Sequence, residues 1–398
     1  MRDSRAALSY RLGESSWDHR EIEALKRVID SGFYSMGSEV KAFEEAFADY
    51  VGSRYCVMVN SGSSANLLMV AALRYRKGGL SIRTGDEVIV PPVSWSTSYY
   101  PFSQYGIKLR FVDIDRETLN YDLAALSSAV DENVSAILAV NLLGNPNDFD
   151  EIQSLISGRD ILLIEDNCES MGACYNDRQC GTFGVMGSYS CFFSHHISTM
   201  EGGLIVTDDE ELFHILLCLR AHGWTRNLPD TNSVAQKSQN KIEEDFHFVL
   251  PGYNLRPLEM AGAIGQAQME KLPSLITFRR KNAMLFLEIM AEFPQISVQK
   301  EIGKSSWFGF SLIVHEEGKN SRADVVSELE RYNIDYRPIV TGNFAKNSKV
   351  MRWLPHTIFG DLKNADWLDR NGLFVGNHGR DLSRELELLQ KALTRALA

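Results

Sequence analysis

The 398-residue sequence lacks any long run of apolar residues. No segment approaches the roughly 18 continuous apolar residues that read as a membrane-spanning helix. Its first residues, MRDSRAALSYRLG, also lack the apolar stretch of a secretory signal peptide. These absences argue against a membrane-embedded or secreted protein, and we expect a cytoplasmic location.

Positive charge is scarce as well. Lys and Arg number 41 against 52 Asp and Glu, a formal net charge of -11, and no stretch is rich in basic residues. Proteins that bind the phosphate backbone of nucleic acids usually carry a basic patch. We therefore expect no nucleic-acid partner, although a small anion can still bind locally.

The sequence has six cysteines but no C-x-x-C pair. Four of them lie close together along the chain, namely Cys168, Cys174, Cys180 and Cys191. Their spacing matches zinc and iron–sulfur sites poorly, so unligated thiols are favoured and a metal site is the alternative. Without features of secretion, we expect these thiols to be reduced and no metal to be bound.

Strand-like and helix-like segments alternate along most of the chain. Short β-branched, apolar runs are separated by stretches with helical spacing, such as SSANLLMVAALRYRK and DEIQSLIS. This alternation predicts an α/β fold with a mostly parallel sheet covered by helices. The strand-like runs are YCVMVN (55–60), EVIVPP (87–92), LRFVDI (109–114), VSAILAVNLL (134–143), ILLIED (161–166), SYSCFF (188–193) and GGLIVTDD (202–209).

The pattern changes from about Lys271, with a boundary between Ala261 and Pro273. A charged helical stretch, TFRRKNAMLFLEIMAEFP, leads to the strand-like WFGFSLIV and then to two further helical segments. We predict an N-terminal arm or helix over residues 1–35, a large domain over 36–265 and a smaller α+β domain over 266–398. The polar, turn-rich segment 230–245 is predicted to be a mobile surface loop.

Groups suited to ligand binding follow several of the predicted strands, where ligands gather in parallel α/β sheets. Gly62 and Ser63 open a helix whose N–H groups suit a phosphate, although an ordinary helix cap looks the same. Trp95 can stack on a flat cofactor or pack in the core. Asp166, after an apolar strand, suits a protonated heteroaromatic nitrogen, and Ser190 adds a hydroxyl.

Seven motifs keep their order over nearly the whole chain: SGSSAN, PPVSWS, FVDID, LLIEDNCESMGA, GTFG, EGG(x)IVTDD and PGYNLRPLEMAGAIG. This succession resembles the pyridoxal-phosphate (PLP) sugar aminotransferases of the DegT/DnrJ/EryC1/StrS family. The resemblance implies an aspartate aminotransferase-like, fold-type I architecture, with a large, mixed, mostly parallel sheet in the cofactor-binding domain and a smaller C-terminal domain. It also implies a homodimer with shared active sites.

The resemblance implies that seven residues bind the cofactor: Gly62, Ser63, Trp95, Asp166, Glu169, Ser190 and Asn254. In this alignment Asp166 binds the pyridine nitrogen and Trp95 stacks on the ring. Glu169 takes the place of a glutamine or histidine near the ring hydroxyl, which is a departure from the family.

The cofactor phosphate has a separate set of implied contacts. Gly62, Ser63 and Ser190 bind it from one subunit. Asn254, in the motif GYNLR, reaches the same phosphate from the second subunit.

A larger departure lies in SHHISTMEGG, residues 194–203. His195 falls where the family has its Schiff-base lysine, and the sequence has no lysine between Lys108 and Lys237. Imidazole can shuttle protons but cannot hold PLP covalently, which favours the amine form, pyridoxamine phosphate (PMP), bound without a covalent link. We predict that His195 is the catalytic base and that His196 is structural.

The histidine variant resembles the 3-dehydratases of deoxysugar biosynthesis. Some of these carry an iron–sulfur cluster held by four cysteines, but here Cys218 is the only cysteine beyond Gly203, which excludes such a cluster. The resemblance implies GDP-4-keto-6-deoxymannose as the sugar substrate and L-glutamate as the donor that restores PMP. It favours Arg226 and Arg337 as anion contacts over surface ion pairs.

Two other functions stay open at this point. One is a nucleotide-sugar aminotransferase of the same fold, against which the missing lysine argues. The other is a non-catalytic relative that binds the cofactor or the nucleotide sugar. Retention of Asp166, Ser190 and Asn254 argues against the second.

Overall fold

A computed structural model describes residues 9–315 and 321–398 of the chain. Residues 1–8 of the predicted N-terminal arm therefore lie outside the described residues. Within the described ranges, none of the helices is both long and apolar enough to cross a membrane.

All seven strand-like runs form strands of a single large sheet. The strands of all the sheets in the described residues are β1 (Tyr55–Val59), β2 (Glu87–Val90), β3 (Lys108–Phe111), β4 (Val134–Val140), β5 (Leu162–Asp166), β6 (Cys174–Tyr175), β7 (Arg178–Gln179), β8 (Met186–Ser190), β9 (Gly203–Thr207), β10 (Ile296–Ser297), β11 (Gly309–Val314), β12 (Tyr336–Arg337), β13 (His356–Ile358) and β14 (Gly372–Gly376). The large sheet has the order β1-β9-β8-β5-β4-β2-β3-β13.

Helices fill most of the intervals between strands. They are α1 (His19–Ser31), α2 (Ser38–Val51), α3 (Gly62–Tyr75), α4 (Tyr100–Gln104), α5 (Leu123–Ala129), α6 (Phe149–Ile156), α7 (Glu210–Arg220), α8 (Lys241–Glu244), α9 (Glu259–Met290), α10 (Arg322–Arg331), α11 (Ser348–Met351), α12 (Lys363–Asn371) and α13 (Ser383–Ala396). Short 3₁₀ helices span Ser96–Ser98, Leu142–Gly144 and Phe344–Lys346. The predicted loop 230–245 contains α8.

The large sheet is mixed and mostly parallel. Strand β9 runs antiparallel to β1 and β8. The neighbours from β8 through β5, β4, β2 and β3 to β13 are parallel. The prediction of an α/β fold with a large, mixed, mostly parallel sheet is confirmed.

Strand β5 shows why the sheet directs polar groups to one edge. All five of its residues are buried, because a parallel strand in the middle of the sheet is covered on both faces. Its first three residues are apolar, and the last, Asp166, brings a carboxylate to the carboxyl end.

A second, antiparallel sheet has the order β10-β11-β14-β12. Its core includes Phe286 and Phe310, whose rings stack with centroids 4.3 Å apart. Helix α9 runs without interruption across residue 265, and β13, from the predicted smaller domain, pairs with β3 of the large sheet. The division at residues 265 and 266 stays a prediction.

Candidate active site

A cavity of about 360 Å³ opens at the carboxyl ends of the large-sheet strands. Residues that follow β1, β2, β5 and β8 line it, and the smaller sheet contributes side chains from β12 and β14. Eight of the ten predicted site residues line this cavity: Gly62, Ser63, Trp95, Asp166, Glu169, Ser190, His195 and Arg337. The structure therefore brings most of the predicted site together.

Asp166 is held by three hydrogen-bond donors. The Asn66 amide and the Ser98 hydroxyl donate to Oδ2 at 2.8 and 2.7 Å, and the N–H of Cys168 donates to Oδ1 at 3.1 Å. Asn66 is itself oriented, because the Ser188 hydroxyl donates to its Oδ1 at 2.6 Å. These donors fix the orientation of the carboxyl group, which suits Asp166 to contact a cationic ring nitrogen.

Helix α3 presents its N-terminus to the cavity. Its N-cap, Ser61, accepts the N–H of Ser64, which leaves the first N–H groups of the helix directed outward, as suits an anion. The hydroxyls of Ser63 and Thr97 lie 2.9 Å apart beside them. Gly62 and these hydroxyls fit the predicted phosphate contacts.

Close packing at Gly62 explains why this position is glycine. A Cβ atom there would lie 2.7 Å from Cβ of Ser190 and 3.0 Å from Sγ of Cys168. Both distances are shorter than normal van der Waals contact, so any larger residue would push the helix away from β8.

We expect Gly62→Ala to weaken cofactor binding by roughly tenfold or more, because overpacking costs ~1–3 kcal/mol and 1.4 kcal/mol is about tenfold in affinity. A titration of PLP absorbance against the protein measures the change. Gly79→Ala is the matched control, since its Cβ would meet only the flexible end of the Arg76 side chain. Unchanged affinity in Gly62→Ala would contradict the assignment of this helix end.

His195 lies in the segment after β8, with its ring facing the cavity. Its Nδ1 lies 2.6 Å from the carbonyl oxygen of Cys168. Because a carbonyl only accepts, Nδ1 carries the hydrogen and Nε2 keeps its lone pair. Burial lowers the pKa of His195 to about 4, so the imidazole is neutral at pH 7 and suited to accept a proton.

His196 is fully buried and does not line the cavity. Its Nε2 lies 3.2 Å from the carbonyl oxygen of Ser306, and burial holds its pKa well below the usual value. This position is consistent with the structural role predicted for His196.

Glu169 lines the cavity on the segment after β5. Its Oε2 accepts the N–H of Leu143 at 2.9 Å. Burial, helped by the charge of Asp166, raises the pKa of Glu169 to about 7. Among the described residues that line the cavity, none is a lysine.

Arg226 and Asn254 lie outside the lining of the chain's own cavity. The Arg226 guanidinium stacks on the Trp224 ring, with Cζ 4.3 Å from the ring centroid, and donates to the carbonyl of Asp245 at 2.7 Å. Asn254 accepts a hydrogen bond from Arg256 at 3.0 Å. An isolated bridge joins Asn254 to Ala221, which keeps the two segments together.

Several cavity residues had not been predicted. Asn66 lies one helical turn after Gly62, in the motif SGSSAN, so it had a local signal in the sequence. Ser98, which donates to Asp166 from behind the lining, lies three residues after Trp95. Phe308 had no such signal in the sequence, because it lies in the distant segment before β11. Its ring lies 5.0 Å from that of His195, which confines the imidazole.

The cysteines are all free thiols. Over residues 9–315 and 321–398, no three or more His, Cys, Asp or Glu side chains are grouped so that they could hold a metal ion. Cys168 is the one that lines the cavity in this part of the chain.

The fold and the cavity define a class of protein. Residues 15–384 match the DegT/DnrJ/EryC1/StrS aminotransferase family, and the chain belongs to this family.

Within the family, the chain is similar to particular enzymes of known name. It is 57% identical over 383 residues to the GDP-4-keto-6-deoxy-D-mannose 3-dehydratase of Yersinia pseudotuberculosis, covering 96% of this chain and 97% of that protein. The Escherichia coli enzyme of the same name, solved with bound hydrated PLP, superimposes with a TM-score of 0.96 at 55% identity, over 98% of this chain and 100% of that one. A structure of this dehydratase with a trapped PLP-glutamate geminal diamine has a TM-score of 0.95 at 55% identity, over 97% of this chain and 100% of that one.

Proposed function

We propose that this protein is a PLP/PMP-dependent 3-dehydratase of GDP-4-keto-6-deoxymannose. It removes the hydroxyl group at carbon 3 and gives GDP-4-keto-3,6-dideoxymannose, while L-glutamate restores PMP. The near-complete coverage at 57% and 55% identity supports this substrate. One observation at the site carries the choice of reaction, namely a neutral histidine in a cavity whose described lining includes no lysine.

The cavity fits a planar, phosphate-bearing pyridine. Asp166 offers a carboxylate for the ring nitrogen, and the opening of α3 with Ser190 offers donors for the phosphate. Gly62 keeps clear the space that a Cβ would fill, and Trp95, exposed at the cavity, offers a ring face for stacking. When bound as PMP, the cofactor supplies an amine that reacts with a ketone and a ring that accepts electrons.

His195 provides the proton acceptor in this proposal. The hydrogen bond from Nδ1 to the Cys168 carbonyl fixes the tautomer, so Nε2 takes up a proton inside the cavity. Phe308 limits the movement of the ring. A lysine at this place would hold PLP covalently, as a sugar aminotransferase requires, so the histidine favours dehydration over amino transfer.

We further propose a cytoplasmic homodimer with shared active sites, which acts in the biosynthesis of colitose for lipopolysaccharide O-antigen. Asn254 of the partner subunit then contacts the phosphate, which agrees with its place outside the chain's own cavity. The bridge joins Asn254 to Ala221, in the segment that leads to Arg226, and we propose that Arg226 of the partner subunit and Arg337 contact the diphosphate or the glutamate carboxylate.

The product of the reaction tests this proposal. Purified protein is incubated with GDP-4-keto-6-deoxymannose, PLP and L-glutamate, and the molecular mass of the sugar product is measured by mass spectrometry. We expect a product lighter by one oxygen atom, together with 2-oxoglutarate and ammonia. An amino sugar would show an aminotransferase instead, and unchanged substrate would exclude this sugar as the substrate.

A further inference from the structure

Glu169 is a titratable group of the cavity that has no part in the reaction as described under the proposed function. Its side chain is half-buried and faces the same space as His195. Within the described residues it makes one hydrogen bond, which Oε2 accepts from the Leu143 N–H, and no Lys or Arg forms an ion pair with it. The remaining oxygen, Oε1, is therefore left to the cavity.

The donor to Glu169 sits in an unusual turn. Leu143 has φ 53°, in the left-handed region that L-residues seldom adopt. The segment before β11 braces this turn, because Ser306 donates to the carbonyl of Gly144 at 2.9 Å and Phe308 donates to the carbonyl of Leu143 at 2.9 Å. The same segment thus fixes the carboxyl group of Glu169 and, through the Phe308 ring, the imidazole of His195.

The pKa values of His195 and Glu169 are shifted in opposite directions. Burial keeps the His195 imidazole unprotonated at neutral pH, whereas burial and the charge of Asp166 favour a proton on Glu169. The titratable and charged groups that line the same cavity are Asp166 and Cys168 on its own segment, together with His195, Glu201 and Arg337 from other segments. Paired titratable groups pushed in opposite directions are typical of an acid and a base in one site.

We propose that Glu169 is a catalytic residue that gives its proton to the oxygen leaving carbon 3, while His195 accepts the proton removed to start the elimination. This inference rests on the proposed function. The C–H bond that His195 breaks is that of the methylene next to the PMP amine, once this amine is joined to carbon 4 of the sugar, and its electron pair expels the oxygen on carbon 3. The departing oxygen takes the Glu169 proton and leaves as water. The two electrons that reduce the sugar would come from PMP, which is then PLP until L-glutamate restores it, and the proton on His195 is available to reload Glu169.

Separate measurement of the two half-reactions tests the role of Glu169. The first is the reaction of PLP-loaded protein with glutamate, followed by absorbance and by 2-oxoglutarate. The second is the loss of water from GDP-4-keto-6-deoxymannose on PMP-loaded protein, followed by product mass. Only the second needs a proton for a leaving hydroxyl.

For Glu169→Gln, which keeps the shape of the side chain but has no acidic proton, we expect the sugar half-reaction to fall by roughly 10²–10⁴, the usual contribution of a general acid. The glutamate half-reaction, measured at saturating PLP, should fall much less, so the ratio of the two rates is the readout. Glu132→Gln is the control, because Glu132 is an exposed carboxylate just before β4, at the opposite end of the strands from the cavity. A parental sugar rate in Glu169→Gln, or an equal fall in both half-reactions, would overturn the proposal.

The proton itself can be observed without turnover. Burial also raises the pKa of Glu165 to about 7, so infrared difference spectra of the PLP-loaded parent and of Glu169→Gln are subtracted from each other. The difference should show a carboxylic acid band of the parent that disappears as pH rises through about 7. Absence of this band in the parent protein would overturn the proposal, even if the parent dehydrates the sugar. If the band is present but the parent leaves the sugar unchanged, the proposed function fails instead.

The pH dependence has a defined sign. A raised pKa means that Glu169 carries its proton below about 7, so the parental sugar half-reaction should be lost as pH rises through that value. His195 should lose its capacity to accept a proton only as pH falls through about 4. The residual rate of Glu169→Gln should not fall as pH rises through about 7. If the variant still loses activity above this pH, the role of Glu169 is contradicted.

Discussion

Replacement of His195 by asparagine should leave the cofactor bound and lower the dehydration rate by roughly 10²–10⁴, the contribution of a general base. The asparagine amide can still donate to the Cys168 carbonyl, so the local structure is kept. It has no basic nitrogen in place of Nε2. Single-turnover dehydration on PMP-loaded protein, with product mass as the readout, measures the loss.

A lysine at the same position provides the counterpart to this experiment. His195→Lys should re-form a covalent link to PLP, visible as a shift of the absorption band of the bound cofactor. Borohydride reduction should then fix the cofactor to the protein. If His195→Asn dehydrates the sugar at the parental rate, another group is the base.

Asp166→Asn should impair both half-reactions, each by roughly 10²–10³, the range seen when one electrostatic contact to a reacting system is removed. An amide in this place cannot stabilise a protonated ring nitrogen, which both half-reactions use as an electron acceptor. It also brings its own N–H₂ group against the donors of Asn66 and Ser98. Cofactor affinity, measured by absorbance titration, should fall as well.

Ser98→Ala is the graded control for this prediction. It removes one of the three donors to Asp166 and keeps the charge. The loss should be only about tenfold, since two donors remain and the lower end of the contribution of a hydrogen bond to a charged group, ~1.5 kcal/mol, corresponds to about tenfold. The defect of Asp166→Asn should appear equally with glutamate and with the sugar. A defect confined to the sugar half-reaction would contradict contact with the ring nitrogen.

Asp166 could be predicted from the sequence, whereas its hydrogen-bond donors could not. An acid at the end of an apolar strand is a local pattern, and it placed Asp166 in the site. Its donors Asn66 and Ser98 lie 100 and 68 residues away along the chain, and only the order of strands in the sheet brings them to it. Gly62 was predicted from its loop, but its close approach to Ser190 is a tertiary contact.

The cavity residues from segments next to the smaller sheet were the least predictable. Phe308 and Val340 line the cavity, yet each belongs to a segment that reads as ordinary packing. The neutral state of His195 likewise depends on burial by these segments, which no spacing along the chain encodes. The resemblance to a known family placed His195 and Glu169 more effectively than residue patterns did.

Strand β13 has a consequence for how the chain folds during synthesis. It pairs with the outer edge of β3, where Thr357 is the partner of Arg110, 247 residues earlier in the chain. Until the ribosome has released residue 358, the backbone groups on that edge of β3 have no strand beside them, and an open edge is a template for pairing with other chains. Nascent chains halted before this point are thus exposed to aggregation, and late translation of the C-terminal part completes the protection of the first sheet.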